Sequence, residues 1–243
     1  YEAFASCSGF DQLNLPTSLT TIGNCAFLSC TGFTNSLTLT GVTSIGPSAF
    51  EDCSGITGIS LSDQLTSIPD NAFRQCSGLS GNLQLPTGLQ TIGENAFFFC
   101  SKLTGDLTIP EGVTSIGFQA FIECTGFDGK LTIPNTVTTI GGSAFSGCSS
   151  LTGDLTIPNK VTIIEDQTFS SLGCAGTLTL PEGITSIGQR AFQLTKFPGT
   201  LTLPSTVTTI KTTAFAASLF TGELKLPENL ENLGQSAFRG CKG

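Results

Sequence analysis

The chain has 243 residues, enough for a large apolar core, and carries 10 Lys+Arg against 18 Asp+Glu, a formal net charge of −8. With no basic stripe it is a poor match for nucleic acid or an anionic membrane surface, and no apolar run approaches the roughly 20 residues of a membrane span. His, Met and Trp are absent, which removes the commonest general base and metal ligand.

A dipeptide, Ala-Phe, returns along the whole chain. Its phenylalanines are Phe4, Phe27, Phe50, Phe73, Phe97, Phe121, Phe145, Phe169, Phe192, Phe215 and Phe238, spaced by 23 or 24 residues. Thr168 replaces the Ala once. A fixed period of this length is the signature of stacked coils. The expected domain is a single solenoid over residues 1–243 of about ten coils, with both ends in mid-repeat and no caps. The chain begins inside a repeat and reads as a mature piece or an excised segment.

Within a coil, Leu107-Thr108-Ile109 alternates apolar, polar, apolar, which predicts a short strand with Thr outward. The triplet returns at Leu131-Thr132-Ile133, Leu155-Thr156-Ile157, Leu178-Thr179-Leu180 and Leu201-Thr202-Leu203. A proline, as at Pro110 or Pro134, ends it because it has no N–H to donate. Val113-Thr114-Ser115-Ile116-Gly117 predicts a bent or very short second strand closed by a permissive glycine. Phe97 and Cys100, three apart, predict a single helical turn, α or 3₁₀. Strands of successive coils should pair in parallel about 4.8 Å apart, giving one extended sheet on a body roughly 50 Å long. About seven apolar side chains per coil point inward, each worth about 1.5–3 kcal/mol when buried.

The pattern Leu-x-Ile/Leu-Pro-x-x-Val-x-x-Ile-Gly-x-x-Ala-Phe-x-x-Cys resembles the BspA-like class of leucine-rich repeats over essentially the whole chain. The resemblance implies a curved right-handed solenoid on the surface of oral and gut bacteria and some protist parasites. It also implies adhesion to host matrix proteins or other microbes, through an extracellular protein or glycan partner. The Cys position departs from the pattern at Leu172, Thr195 and Ser218, with Cys174 nearby, so the tail of the array is expected to be looser or differently curved.

Phe27, Phe50, Phe73, Phe97, Phe121 and Phe145 read as one structural ladder, and Cys30, Cys53, Cys76, Cys100, Cys124 and Cys148 as a second. The cysteine column admits a disulfide set, a metal ladder, or buried free thiols acting as small apolar side chains. Substitution by Leu, Thr and Ser and the lack of cysteines two to four residues apart favour the last. Cys25 and Cys174 lie outside the column and six coils apart, too far for a bridge. No metal or cofactor is expected.

Acidic residues such as Asp70, Asp106, Asp128 and Asp154 form no calcium loop and read as solvated charge. No insertion breaks the period to form a cleft for paired carboxylates, so no catalytic residue is expected. Two threonine columns stand out, one through Thr108, Thr132, Thr156, Thr179 and Thr202, the other through Thr114, Thr138, Thr162, Thr185 and Thr208. Threonine suits the outer face of a strand. An ice-binding array is the sharper reading, weakened by sheet curvature and the lack of a Thr-x-Thr pair along one strand. The expected binding surface is the first column with Lys130, Glu111 and Glu182. The competing expectation is a structural unit that self-associates head to tail into a filament or surface layer.

Overall fold

The computed structural model describes residues 1–242. The chain is a parallel solenoid with about 23 residues per turn, and there is no helix among the described residues. The coils share one plan: a Leu-side segment that forms short strands between Ser36 and Thr179, a bend that carries proline in all but the two coils with Thr40 and Ser62, a two-residue Ile-side strand and a run of turns around the Ala-Phe pair.

The rings of the Ala-Phe column form an unbroken stack from Phe4 to Phe238. Centroids are 5.2–5.7 Å apart and neighbouring rings are parallel within 15°. That is the offset stacking the ring quadrupole favours. The rings from Phe50 to Phe215 are wholly enclosed, and the Ala before each packs against the same core. Leu107, Val113, Ile116 and Cys124 fill the rest of the interior, as do their equivalents in other coils.

The expected helical turn is replaced by a chain of β-turns. Around Phe50, the N–H groups of Ala49, Glu51 and Cys53 bond back within the coil to Gly46, Ser48 and Phe50. The alternate N–H groups of Ser48, Phe50 and Asp52 leave the coil and bond to Asp70, Ala72 and Arg74 of the next one. A helix would hold every N–H inside its own turn. Ser48 and Asp52 sit at φ of 54° and 58°, and the same left-handed pair flanks every Phe of the column. Such backbone is costly for a residue with a Cβ, but here the inter-coil hydrogen bonds fix it.

The sheets are interrupted rather than continuous. On the Ile side the strands form groups of two, four and four, broken between Ser44–Ile45 and Ser67–Ile68 and again between Thr139–Ile140 and Ile163–Ile164. Elsewhere the residue after Ile bonds back one coil, as Gly117 N does to Ile92 O at 2.8 Å. Pro69 occupies that position at the first break and has no N–H to give. Glu165 occupies it at the second. A Cβ on Gly117 would lie 2.5 Å from the backbone of Gly93 and Glu94, so a side chain there requires the two backbones to shift. On the Leu side, strands pair only two by two, as Leu107–Thr108 with Leu131–Thr132 and Leu155–Thr156 with Leu178–Thr179. Beyond Thr179 the Leu side forms no strand among the described residues, while the Ile-side ladder continues to Leu233.

Candidate binding surface

The two threonine columns have different surroundings. In the column through Thr114, hydroxyls reach back to the preceding coil: Thr114 to Gln90 O, Thr138 to Thr114 O, Thr185 to Thr162 O and Thr208 to Thr185 O, at 3.1–3.3 Å. Those hydroxyls are committed to holding coils together. In the other column, Thr108, Thr132, Thr156, Thr179 and Thr202 are all exposed, and their hydroxyls make no hydrogen bond to protein among the described residues. Strand pairing sets Thr132 beside Thr108 and Thr179 beside Thr156. Adjacent hydroxyls therefore stand about one strand spacing apart, ~4.8 Å. The column offers a row of both donors and acceptors without desolvation of the backbone beneath it.

Lys130 is exposed two residues before Thr132, between Asp106 and Asp154 in the same outward row. Its backbone amide N donates to Asp106 Oδ1 at 2.7 Å, and its ammonium is in no ion pair among the described residues. Glu111 lies past the strand at the tip of the turn closed by Val113 N on Pro110 O. Glu182 occupies the equivalent tip, but its carboxylate accepts from both the amide and the hydroxyl of Ser205 at 3.1 Å. It is held by the next coil and is less available than Glu111.

The aspartates have a role that their scatter along the sequence concealed. Asp70 Oδ1 accepts from Glu94 N at 2.8 Å, Asp154 Oδ1 from Thr177 N at 2.6 Å and Asp166 Oδ1 from Gln189 N at 2.8 Å. With Asp106, these carboxylates cap amides of the following coil. The signal was positional: Asp70 and Asp166 each lie three residues before a column Phe, and Asp106 and Asp154 each nine residues after one. Among the described residues, no group of three or more His, Cys, Asp or Glu is placed to hold a metal ion.

All ten cysteines are free. Those of the column are more than small apolar side chains. Each Sγ from Cys30 to Cys148 donates to the carbonyl of the Phe one coil earlier, at 2.9–3.2 Å. Burial pushes the thiols of Cys76, Cys100, Cys124 and Cys148 well above their ordinary range, and that of Cys53 up to about 12. They are neutral donors and poor nucleophiles. Where the column departs from Cys, Ser218 Oγ makes the same bond to Phe192 O at 2.7 Å, and Thr195 Oγ1 donates to Phe192 O at 2.9 Å. Leu172 keeps the burial without the donor. Cys174 is buried beside the column, its Sγ directed at Thr152 O at 3.6 Å.

The model of the BspA-type leucine-rich repeat region matches residues 1–128 and 128–243, in six copies. Among solved structures, a leucine-rich repeat protein from Bacteroides ovatus is similar at 28% identity and a TM-score of 0.79, over 93% of this chain and 57% of that one. The chain thus spans little more than half the length of that relative. A leucine-rich repeat protein from Treponema pallidum aligns at 24% identity and a TM-score of 0.44, covering 74% of this chain and 70% of its own. A leucine-rich cell surface protein from Faecalibacterium prausnitzii aligns at 20% identity and 0.47, covering 96% and 84%. No curated protein matches the chain.

Proposed function

Because the chain belongs to the BspA-type leucine-rich repeat family, we propose that it is a non-enzymatic binding or adhesion module, working outside the cell or on its surface. The partner is a protein or a glycan held by the exposed threonine column from Thr108 to Thr202, with Lys130 and Glu111 at its margins. The observation behind this reading is the contrast between the two columns. One spends its hydroxyls on the neighbouring coil, and the other leaves them to solvent on a repetitive strand face. Extended repeat surfaces suit partners that present many weak, equivalent contacts.

The test is surface plasmon resonance of the purified chain against collagen, fibronectin and a glycan array, beside a Thr108→Lys/Thr132→Lys/Thr156→Lys variant. Binding by the parent, lost at least tenfold in a variant with an unchanged melting temperature, supports the proposal. Undiminished binding by the variant moves the site elsewhere. Sedimentation of the same samples separates the competing structural reading: growth into long polymers with concentration, without capture of any ligand, would favour assembly over adhesion.

A further inference from the structure

Two phenylalanines of the turn side have no place in the core. Phe97 is enclosed in the stack, but Phe98 is only half-buried and Phe99 is 43% exposed. Phe99 also has a φ of 59°, a region that bulky side chains avoid. Its column is otherwise small or polar, with Ser29, Asp52, Gln75 and Glu123 at the same position and Gly147 at φ 76°. Leu194 is the other large apolar residue there, between the small Ser171 and Ala217. The fold therefore does not call for an aromatic ring at Phe99 and is strained by one. Strain kept at an exposed position points to use.

The pair is also held in place. Glu51 Oε1 accepts from Arg74 Nη1 at 2.9 Å, the Arg74 guanidinium lies 4.8 Å from the Phe98 ring centre, and the Phe98 and Phe99 rings are 4.8 Å apart. Glu51 neutralises Arg74, and Gln75 Oε1 accepts from the same nitrogen at 3.3 Å. Glu123 follows Phe99 in the column, its carboxylate lying over Gly147, and Asp52 stands two coils before Phe99, beyond Gln75; neither acid is in an ion pair among the described residues. Lys102, on the strand leaving the turn, is the remaining cation nearby in sequence, and the patch stays net negative with it counted. The chain as a whole carries −8.

We propose that the Phe98–Phe99 patch is a docking site for a basic segment of a partner protein. A Lys or Arg side chain of that partner lies over the Phe99 ring, with its charge toward Glu123, using the attraction between a cation and an aromatic face. The free carboxylates of Asp52 and Glu123 leave the patch net negative, and that charge favours a cation over a neutral sugar. This site is separate from the threonine column and does not depend on it.

The test is a titration of the ¹⁵N-labelled chain, followed by NMR, with three probes: a capped six-residue peptide alternating Lys and Leu, its Glu–Leu counterpart, and maltohexaose. The Lys peptide should shift resonances around Phe98, Phe99 and Glu123, bind at least tenfold better than the Glu peptide, and weaken with salt. Phe99→Gly should lose at least fivefold in affinity while its melting temperature holds or rises, because glycine accepts the left-handed backbone. Phe118→Ala, which removes a ring 46% exposed at the other edge of the turn, should leave affinity unchanged. Equal binding of the Glu peptide, binding of maltohexaose alone, shifts elsewhere or none, or full affinity in Phe99→Gly would each overturn the proposal.

Discussion

Cys76 Sγ donates to the carbonyl of Phe50 at 3.0 Å, across one coil. That carbonyl already accepts from Cys53 N at 3.2 Å within its own coil. The two ladders are therefore one device: the ring stacks, and the thiol of the next coil ties down the backbone that carries it. The Phe carbonyl faces a dry interior, so its second lone pair has no water to turn to.

Serine should thus substitute better than valine in the cysteine column. Cys100→Ser keeps a donor for Phe73 O, as Ser218 does for Phe192 O, and should cost less than about 1 kcal/mol. Cys100→Val removes the donor and adds bulk to a filled site, for a loss of about 1–3 kcal/mol. Urea midpoints of the two variants decide it; a Val variant as stable as the Ser variant would remove the thiol's role as a donor.

Alkaline pH should unfold the chain early. In the unfolded chain a thiol ionises near its ordinary value of 9.0, whereas in the fold Cys174 is raised to about 11, Cys53 to about 12 and the central four well above that ordinary value, in each case chiefly by burial. Below pH 9 both states hold these protons and stability is flat with respect to them. Above it the unfolded state releases protons that the folded state keeps, so stability falls as pH rises toward 11–12. Each thiol contributes about 1.4 kcal/mol per pH unit. Urea midpoints at pH 8, 9, 10 and 11 should decline only above 9, with a shallower slope in Cys100→Ser/Cys124→Ser. A slope unchanged by those substitutions would place the alkaline sensitivity elsewhere.

The period, the Ile-side strands and the enclosed ladders were legible because each depends on a residue type recurring at a fixed place, whereas the Leu-side strand expected at Leu201-Thr202-Leu203 does not form. The form of the Ala-Phe turn was not. Phe and Cys three apart suit a helical turn and a run of β-turns equally, and the choice rests on where alternate N–H groups bond. The two threonine columns also look alike in sequence. They differ because the N–H bonds of the first run to the following coil, as Ile109 N to Thr132 O, and those of the second to the preceding coil, as Thr138 N to Thr114 O. The sheet breaks could have been found at Pro69 and Glu165, the positions where the recurring Ile-Gly is lost, although Lys211 replaces the same glycine and still bonds to Ile187 O at 2.9 Å.

Gly117→Ala should test how tightly the Ile-side coils are packed. The new Cβ would meet Gly93 and Glu94 backbone at 2.5 Å, and backbone cannot swing aside as a side chain can. A loss of about 1–3 kcal/mol is expected. Gly9→Ala, where a Cβ meets nothing within 4 Å, should change stability by less than about 0.5 kcal/mol. Equal effects in thermal melts would mean that the Ile-side backbone yields to a side chain at Gly117, as it does at Lys211.

Phe121→Ala should split the array. Its ring stacks on Phe97 at 5.3 Å and on Phe145 at 5.7 Å, with no exposed surface. Truncating a buried Phe costs about 3–5 kcal/mol, and here both neighbours also lose an aromatic partner, each contact worth about 0.5–1.5 kcal/mol. In a structure stabilised by nearest-neighbour interfaces, a defect of that size at one coil uncouples the segments on either side. The same truncation at Phe27, one coil after Phe4, removes equivalent contacts but leaves a long intact run from Phe50 onward. Hydrogen exchange read by mass spectrometry distinguishes the two. Phe121→Ala should lose amide protection first between residues 97 and 145 and show two unfolding steps. Phe27→Ala should lose it only near residues 1–50 and keep one main step. Uniform loss of protection along the chain in Phe121→Ala would mean that the solenoid unfolds as a single cooperative unit, with the ring stack only one of several couplings that span it.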